Sequence, residues 1–306
     1  MTGAPHPTVC RICESACGLV AEVADGRVVA LRPDPDDPVS RGYACRKGTT
    51  FHERVAHHPD RLVAARVDGR SVPRDAAIAE AGRRLAAARR RSGPTSIGVY
   101  SGNAVGHSFG AVLAVEALRG AFGTRRHYSC LTLDNSEVFV VADRVFGNPL
   151  ATFVADYAGA DLVVLFGTDP LGSQASAAQS HPRATADLRD VARRGQLVVV
   201  DPRRSVTAAQ ASVHLQPRVG ADLFALAWLV GGATSDPALR AACAPYDLDR
   251  VARVTGVTGA RWVALRDALH AAERPLVWTG LGVLLGPHGT LGWWLTVALQ
   301  HALGGL

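Results

Sequence analysis

The stretch that decides the fold is a cysteine motif, Cys10-Arg-Ile-Cys13-Glu-Ser-Ala-Cys17, followed after 27 residues by Cys45-Arg-Lys-Gly. Three thiols lie on one short loop, and the distant fourth thiol can close a cage around an inorganic centre. Four thiolates in this arrangement are typical of a [4Fe-4S] cluster. Zinc is the alternative metal, although zinc ribbons usually use two separated Cys-x-x-Cys pairs. A third interpretation is that the four cysteines are unrelated and buried or disulfide-bonded. The motif therefore predicts Cys10, Cys13, Cys17 and Cys45 as metal ligands.

The sequence around these cysteines resembles a known superfamily. The stretches CRICESACG (10–18), GYACRKG (42–48) and HHPDRL (57–62) are similar to the N-terminal region of the molybdopterin-dependent oxidoreductases. This superfamily contains formate dehydrogenases, nitrate reductases and dimethyl sulfoxide reductases. The resemblance implies a [4Fe-4S] cluster and a bis(molybdopterin guanine dinucleotide) cofactor with molybdenum or tungsten.

Lys47 directly follows the fourth cysteine and its neighbouring arginine. The resemblance implies that this lysine is an electron relay that bridges from the cluster toward the pterin. A cation at that place would stabilise charge arriving from either side. Without Cys45 beside it, Lys47 would be interpreted as a solvated surface lysine.

The composition predicts a sizeable apolar core, because 48% of the 306 residues are hydrophobic and 20% are charged. The net charge of +6 is spread without a long basic run or interleaved aromatic residues, so nucleic acid is not expected as a partner. Neither a signal sequence nor a twin arginine precedes the cysteine motif, which predicts a cytoplasmic protein. No apolar run reaches the roughly 18 residues of a membrane span.

Two hairpins and a helix are predicted early in the chain. Alternating apolar residues over 18–32 flank an Asp-Gly pair and predict a β-hairpin. A second Asp-Gly pair predicts another hairpin turn within 57–70. Helical periodicity over 75–91 predicts a helix with Asp75 as its N-terminal cap.

A strand with a small-residue turn over 96–106 and a helix over 108–123 follow. This order forms a phosphate-cradling unit in many nucleotide-binding folds. The superfamily also has a Ser-Gly turn here, which implies cofactor contact around Ser101 and Gly102.

The segment 123–147 carries the candidates for the protein ligand of the metal. In the formate dehydrogenase and nitrate reductase branches, a Gly-Thr turn leads to a ligating cysteine or selenocysteine, and the corresponding position here is Asp134. Aspartate is an admissible oxygen ligand. Cys130 is the alternative as a thiolate ligand, and the interpretation that neither residue binds the metal stays open. The other interpretation of Asp134 is an N-cap of the following helix, with Glu137 at capping-box spacing.

Two strand-to-loop units, 159–170 and 195–208, carry candidate dinucleotide contacts. Ligands bind at the carboxyl edge of parallel sheets, where such loops lie. The resemblance implies that the first turn contacts guanine, with aspartate in place of the usual asparagine; a carboxylate can accept hydrogen bonds from guanine N–H groups. In the second loop, an aspartate could bind ribose or guanine and an arginine a phosphate, or the two could form only a local pair. The candidate residues are Gly167, Thr168, Asp169, Asp201 and Arg203.

Two later turns complete the candidate site. Residues 214–232 resemble the superfamily's Arg-Pro-Gly-Thr-Asp pattern, in which Gly220 allows a close backbone approach and Asp222 is the N-cap of an apolar helix. Residues 274–289 predict a strand followed by a glycine-rich turn that contains Gly280.

The expected fold class is α/β, with a small β-rich [4Fe-4S] domain over 1–60 followed by two interleaved doubly wound cofactor-binding domains. The resemblance implies that 61–133 and 275–306 form one incomplete α/β domain and that 134–274 form a second domain inserted into it. Members of the superfamily normally continue into a C-terminal β-barrel, which we expect to be absent. The chain would then be a fragment, a subunit completed by a partner, or an inactive remnant.

The resulting hypothesis is a molybdenum-dependent oxidoreductase, similar to formate dehydrogenases and nitrate reductases. It would act on a small-molecule redox substrate and exchange electrons with a ferredoxin, a flavoprotein or an NAD(P)H-linked subunit. The protein would position the cofactor while the metal performs the chemistry. One alternative is an electron-transfer or assembly subunit that holds only the cluster. Another is a zinc-stapled nucleotide-binding protein without redox function.

Overall fold

The computed structural model describes residues 5–151, 153–173 and 181–305, and the chain divides into a first unit, 1–132, and a second unit, 133–306. Both units contain helices and strands, so the predicted mixed α/β class is confirmed. The strands are β1 (His6–Val9), β2 (Gly18–Ala24), β3 (Arg27–Pro33), β4 (Ala65–Val67), β5 (Arg70–Val72), β6 (Val99–Ser101), β7 (His127–Ser129), β8 (Leu162–Phe166), β9 (Leu197–Val200), β10 (Val213–Leu215) and β11 (Pro275–Thr279).

The α-helices of the described residues are α1 (Arg46–Thr49), α2 (Arg74–Ser92), α3 (Asn103–Gly106), α4 (Phe109–Phe122), α5 (Leu131–Asp134), α6 (Ser136–Phe146), α7 (Pro170–Ser173), α8 (Ala184–Arg193), α9 (Asp222–Ala233), α10 (Pro237–Cys243), α11 (Leu248–Thr255), α12 (Gly259–Ala271), α13 (Leu281–Leu284) and α14 (Gly289–Ala302). A π-helical segment spans His52–Ala56, and 3₁₀ turns span Pro94–Ser96 and Ala208–Gln210. Among the described residues, no helix has both the length and the hydropathy that a membrane span requires.

The first unit contains both predicted hairpins. Strands β1, β2 and β3 form an antiparallel sheet, and β4 pairs with β5. Asp25 and Gly26 at the first turn have φ angles of 51° and 72°, and Asp68 and Gly69 at the second turn have 49° and 80°. Positive φ at both central positions is the requirement of a type I′ turn, which matches the twist of the flanking strands. The Asp-Gly signal in the sequence is thereby confirmed.

Helix α2 begins one residue earlier than predicted. Pro73 occupies the N-cap position without a side-chain hydrogen bond, so the prediction of Asp75 as the cap was wrong. The fixed φ of proline favours an extended residue just before a helix. Asp75 lies in the first helical turn, where its negative charge complements the helix dipole.

The predicted strand, turn and helix of the first unit are also present. Strand β6 pairs in parallel with β7. The Ser108 hydroxyl accepts a hydrogen bond of 3.4 Å from the Ala111 N–H at the start of α4, and Gly123 ends the helix with a φ of 65°.

The second unit is built on a parallel sheet in the order β10-β9-β8-β11. All four residues of β9 and four of the five in β8 are buried. Alternate residues point to opposite faces. One face packs against α9, α12 and α14, and the other packs against α8. A parallel sheet covered by helices on both faces produces the continuous apolar runs that the sequence shows.

The order of these strands identifies the expected ligand edge. Along the chain, β8 is the first strand of this sheet, β9 the second, β10 the third and β11 the fourth, so the spatial order is 3-2-1-4. The first four strands of the Rossmann fold have this order, and the direction of winding reverses between strands 1 and 4. A ligand crevice is therefore expected where β8 and β11 end.

The position of the last segment differs from the sequence-based expectation. Residues 275–306 were expected to join 61–133, but β11 pairs in parallel with β8 from Pro275↔Leu162 to Thr279↔Phe166. Helix α14 packs against α9 and α6. The apolar edge of β8 supplies a partner that only the folded chain shows. The remaining domain boundaries and the interleaving of two domains stay predictions.

Candidate functional site

Two loops of the first unit carry the four motif cysteines. Cys10, Cys13 and Cys17 lie between β1 and β2, and Cys45 immediately precedes α1. The Cys10 N–H donates to the Cys17 carbonyl at 2.8 Å and closes the first loop. Ala16 adopts a φ of 43° next to Cys17. All four motif cysteines carry free thiols.

The electrostatics of these thiols match a shared metal centre. The pKa of Cys17 is raised to about 11, mainly by burial and additionally by the neighbouring Cys10, Cys13 and Cys45 as like charges. Burial, followed by the charges of Cys13 and Cys45, also raises the pKa of Cys10. Four crowded thiolates need a compensating positive centre, and a bound metal supplies it by deprotonating its thiol ligands. The residues therefore fit a cluster with four thiolate ligands.

A site for a single metal ion, such as zinc, makes different demands on the side chains from those of a cluster. In residues 5–151, 153–173 and 181–305, no three His, Cys, Asp or Glu side chains form a group arranged to hold one metal ion. A zinc ion would need sulfur atoms at about 2.3 Å. Metal analysis separates a zinc ion from an iron–sulfur cluster.

Two glycines let the cysteine loops pack tightly. A Cβ atom at Gly48 would lie 3.2 Å from Cys10 Sγ, which explains why glycine closes the Cys-Arg-Lys-Gly motif. A Cβ atom at Gly18 would overlap the Asp37 side chain. Gly18 therefore leaves no room for a side chain, and a side chain at Gly48 would press on the Cys10 sulfur.

A buried serine ties the loop before Cys45 to the start of β2. The Gly18 N–H donates to Ser40 Oγ at 3.1 Å. The Ser40 hydroxyl and N–H each donate to Asp37 Oδ2 at 2.6 Å. These hydrogen bonds, led by that of the Ser40 hydroxyl, hold the pKa of Asp37 below its usual range. The network fixes the second cysteine-bearing segment against the first.

The cysteine loop also contacts the turn after β6. Arg11 Nη2 donates to the His107 carbonyl at 3.3 Å, and Glu14 Oε1 lies 3.8 Å from His107 Nε2. Arg11 and Glu14 stand between the clustered cysteines, and His107 lies between α3 and α4. The structure thus brings the predicted cofactor turn next to the predicted cluster.

The candidates in and near this turn differ in exposure. Ser101 is buried, and its hydroxyl lies 2.9 Å from His127 Nε2 on the neighbouring strand β7. Gly102 is exposed and precedes α3, and Lys47 is exposed on α1. Lys47 and Gly102 are therefore accessible to a ligand, whereas the Ser101 hydroxyl is already paired with a histidine.

The two candidates for the metal ligand, Cys130 and Asp134, lie at opposite ends of the short helix α5. Asp134 ends α5, and its Oδ1 accepts a hydrogen bond of 2.8 Å from the Asn135 side-chain amide. Asn135 occupies the N-cap position of α6, so the interpretation of Asp134 as that cap was wrong. Cys130 is partly exposed just before α5. Ligation by Asp134, by Cys130 or by neither stays a prediction.

In the second unit, the turns after β8 and β11 pack backbone against backbone. The Gly280 N–H donates to the Phe166 carbonyl at 2.8 Å, and the Gly282 N–H donates to the Gly167 carbonyl at 2.9 Å. A Cβ atom at Gly280 would overlap Thr168, and one at Gly282 would lie 2.8 Å from the Gly167 oxygen. Three of the predicted residues, Gly167, Thr168 and Gly280, therefore meet at the reversal point of the sheet.

The turns after β8 and β9 are joined through Asp169. Its Oδ1 accepts hydrogen bonds from the Thr207 hydroxyl at 2.7 Å and from the Thr207 N–H at 2.9 Å. Burial alone would raise the pKa of Asp169, but the bonds from Thr207 outweigh it and hold that pKa below its usual range. Arg203, a largely exposed side chain, lies 3.5 Å from Asp169 Oδ2. One carboxylate oxygen is thus committed to holding the two turns together.

Asp201 and Asp222 are both buried at the same edge of the sheet. Asp201 follows β9, and its Oδ1 accepts a bond of 2.7 Å from the Arg203 N–H. Asp222 is the first residue of α9, whereas Ala221 holds the N-cap position, so the prediction of Asp222 as the cap was wrong. Gly220 has a φ of 80°, which favours glycine and turns the chain into the helix.

The Asp222 carboxylate has no partner for Oδ1 within the part of the chain that the structure describes. Its pKa is raised to about 6, mainly by burial and additionally by the charge of Asp201. A buried carboxylate oxygen that lacks a partner at a ligand edge is an acceptor available for N–H or O–H donors of a bound molecule. The sequence indicated this residue as a cofactor contact but gave no sign of its shifted pKa.

Comparisons with known proteins agree with the cysteine geometry. Residues 5–57 match the family model of the molybdopterin oxidoreductase Fe4S4 domain. Over these residues the chain is similar to that domain. The resemblance found in the sequence is thereby confirmed, and this domain match supports a [4Fe-4S] cluster at the four cysteines.

Curated relatives extend the similarity beyond this domain. The chain is 29% identical to a nitrate reductase of Klebsiella oxytoca over 90% of this chain and 32% of that protein. It is 27% identical to the F420-dependent formate dehydrogenase 1 subunit alpha of Methanococcus maripaludis over 72% of this chain and 32% of that protein. The chain is 30% identical to the periplasmic nitrate reductase of Desulfovibrio desulfuricans over 72% of this chain and 30% of that protein. The chain spans about a third of the length of these relatives.

A solved structure shows the same fold. Acetylene hydratase from Pelobacter acetylenicus matches 98% of this chain and 43% of its own chain, with a TM-score of 0.78 and 18% sequence identity. At this identity the match establishes the architecture and leaves the reaction open.

Proposed function

We propose that this chain is the cluster-binding and cofactor-binding part of a molybdopterin-dependent oxidoreductase. The observation that carries the proposal is the presence of four free thiols on two adjoining loops of the Fe4S4 domain. Cys10, Cys13, Cys17 and Cys45 would each bind one iron of a [4Fe-4S] cluster as thiolates. The raised pKa values of Cys10 and Cys17 favour their protonated thiols in the absence of metal, so metal binding would release protons.

When bound, the cluster would supply electron transfer, and the bis(molybdopterin guanine dinucleotide) with molybdenum or tungsten would supply the redox chemistry of a small-molecule substrate. Lys47 contributes a positive charge beside Cys45, and it would stabilise anionic groups of the cofactor near the cluster. The contact of Arg11 with His107 holds the turn of Ser101 and Gly102 next to the cysteine loop.

The second unit would hold one guanine dinucleotide at the reversal point of its sheet. Gly167, Thr168 and Gly280 bring the turns after β8 and β11 into close contact there. Asp201 and Asp222 supply buried acceptors, and the exposed Arg203 supplies a cation for a phosphate. Asp169 and Gly220 would shape the two adjoining turns. This assignment rests on sheet topology and donor chemistry.

The remaining parts of the proposal follow the resemblance. Asp134, or alternatively Cys130, would provide the protein ligand to the metal. A ferredoxin, a flavoprotein or an NAD(P)H-linked subunit would exchange electrons with the cluster, and we propose a cytoplasmic location. The second candidate function is a subunit that holds the cluster without molybdenum.

The experiment is metal analysis of the anaerobically purified chain for Fe, Zn, Mo and W, together with its visible absorbance. We expect about four irons per chain, the content of one cubane cluster. Molybdenum or tungsten in addition would support the complete proposal, and iron alone would favour the cluster-only alternative. Zinc without iron would refute the oxidoreductase.

Two cysteine variants make the assignment specific. Cys45→Ser should lose the iron and the brown colour, because it removes the ligand that closes the cage. Cys243→Ser is the matched control, since Cys243 is a buried free thiol in the second unit and should leave the iron content unchanged.

A further inference from the structure

His52 is a buried side chain on the helical run that follows the fourth cysteine. Within residues 46–57, Gly48 and His52 are the buried positions, and the others are exposed or partly exposed. His52 is 7% exposed. Helix α1 ends at Thr49 and the π-helical segment begins at His52, so the two residues lie on successive helical turns, and their burial turns this shared face toward the interior of the Fe4S4 domain.

Neither ring nitrogen of His52 has a hydrogen-bond partner within the described residues. The Glu53 carboxylate oxygen lies 3.6 Å from Nε2, which is too long for a hydrogen bond, and the Glu53 side chain is 68% exposed. Buried polar groups are nearly always paired with a donor or acceptor. An imidazole with two unpaired nitrogens in a domain built for a metal centre therefore indicates a partner that belongs to that centre.

The geometry of the helix directs this imidazole toward Cys10. A Cβ atom at Gly48 would lie 3.2 Å from Cys10 Sγ, so the shared face lies against that thiol. Side chains of a helix lean back over the preceding turn, and Cβ atoms four residues apart are about 5–6 Å from each other. A side chain that leans back in this way would carry the ring of His52 toward Gly48 and the sulfur beside it.

The backbone also changes at this residue. The His57 N–H donates to the His52 carbonyl at 2.9 Å, a bond over five residues that belongs to the π-helical segment His52–Ala56. Before it, the Arg54 N–H still donates to the Thr50 carbonyl over four residues. Single-turn π segments are rare and occur frequently at functional sites.

We propose that His52 donates an N–H hydrogen bond to a sulfur of the cluster edge that Cys10 ligates. His52 is then a positioning residue that raises the reduction potential, because hydrogen bonds to sulfur favour the more negative, reduced cluster. This inference rests on the cluster of the proposed function. It adds a residue that the cysteine motif does not contain.

The test compares the reduction potential of the cluster in the complete 306-residue chain and in His52→Phe, by redox titration monitored by EPR. Phenylalanine keeps an aromatic ring of similar size and removes the donor. We expect the ratio of reduced to oxidised cluster at a fixed potential to fall roughly tenfold, which is a shift of about 59 mV for one electron. His57→Phe is the matched control, because His57 is exposed on the same run and should leave the potential unchanged.

A second variant and a spectroscopic signature keep a structural role separate. His52→Gln retains an N–H donor, so its potential should lie between those of the parent and of His52→Phe. With ¹⁵N-labelled histidine, pulsed EPR of the reduced parent should show a nitrogen coupling that both His52 variants lack and His57→Phe keeps.

Each outcome decides the inference. Equal potentials in parent and His52→Phe at equal iron content would overturn it while leaving the cluster intact. If His52→Phe fails to retain iron, the His52→Gln potential and the nitrogen coupling of the parent decide, and absence of that coupling would overturn the inference. A parent chain without iron would refute the proposed function as well.

Discussion

The Fe4S4 domain, residues 5–57, and the parallel sheet of the second unit achieve burial in different ways. In the Fe4S4 domain the buried apolar side chains are Cys17, Leu19 and Ala21. In the second unit, strands β8 and β9 are buried on both faces between apolar clusters. The first region places four thiols, two buried serines and a buried histidine where a small domain would ordinarily place its core. The second has an ordinary core and places polar groups at one edge.

The two regions therefore draw their folding stability from different sources. A unit with so little apolar burial is marginal by itself, and metal binding then contributes directly to its folding free energy. The sheet gains its stability from apolar area removed from water. It can therefore hold a carboxylate with one unpaired oxygen, that of Asp222, at its edge without losing the fold.

Removal of iron should have the largest effect, and it should act on the Fe4S4 domain alone. Anaerobic chelation should unfold residues 5–57, because the metal centre that ties the two cysteine loops together is then lost, while β8 and β9 should stay folded. Hydrogen–deuterium exchange measured by peptide should show loss of protection in 5–57 alone. Retained protection of 5–57 after complete loss of iron would show that its hydrogen-bond network suffices for folding.

The sequence predicted those features of both regions that are local. Asp-Gly pairs fixed the hairpins, since type I′ turns need two residues with positive φ. Continuous apolar runs fixed β8 and β9, and cysteine spacing fixed the ligand loop. The partner of β11 was missed because strand pairing depends on which apolar edge is free in the folded chain, and no local pattern reports that.

In the candidate site, too, the sequence predicted local features and missed those that depend on distant neighbours. The motifs placed Gly167, Thr168 and Gly280, which meet in the structure. The unpaired state of Asp222 and the burial of His52 were not predictable, because both depend on neighbours distant in sequence. The sequence runs His52-Glu-Arg-Val-Ala-His57-His58, and nothing local distinguishes the buried histidine from the exposed ones, except that His52 follows Gly48 by one helical turn.

A substitution in the apolar core should have the next largest effect, and it should destabilise the second unit alone. Leu226 on α9 is fully buried in the apolar cluster of the second unit. Leu226→Ala should lower the free energy of unfolding by about 2–5 kcal/mol, through lost apolar burial and the cavity that remains. All five tryptophans lie at positions 228–294, so tryptophan fluorescence during urea unfolding reports on the second unit alone.

The control is Leu285→Ala, at a side chain that is 60% exposed, and its effect should stay within about 0.5 kcal/mol. The iron content should remain unchanged in both variants, because the cysteine ligands lie in the first unit. A large loss of iron in Leu226→Ala would mean that the two regions do not fold independently.

The smallest expected effect has the opposite sign and concerns the ligand edge. The pKa of Asp222 is raised from 3.8 to about 6, mainly by burial, so the folded chain binds more protons than the unfolded chain between these values. The contribution of this group to stability therefore falls as the pH rises from 3.8 to 6, and the loss remains above pH 6. Asp222→Asn should stabilise the ligand-free second unit by about 1–3 kcal/mol at neutral pH, and by less as the pH approaches 4.

Urea unfolding followed by tryptophan fluorescence near neutral pH and at acidic pH measures this difference. Asp249→Asn is the control, because Asp249 is exposed in the same unit and its substitution removes the same charge. If Asp222→Asn destabilises the second unit at neutral pH, the carboxylate has a stabilising partner in the folded protein and is not a free acceptor. If Asp222→Asn stabilises the unit, the carboxylate lowers the stability of the ligand-free protein. Groups that a fold retains at a cost in stability are characteristic of ligand sites.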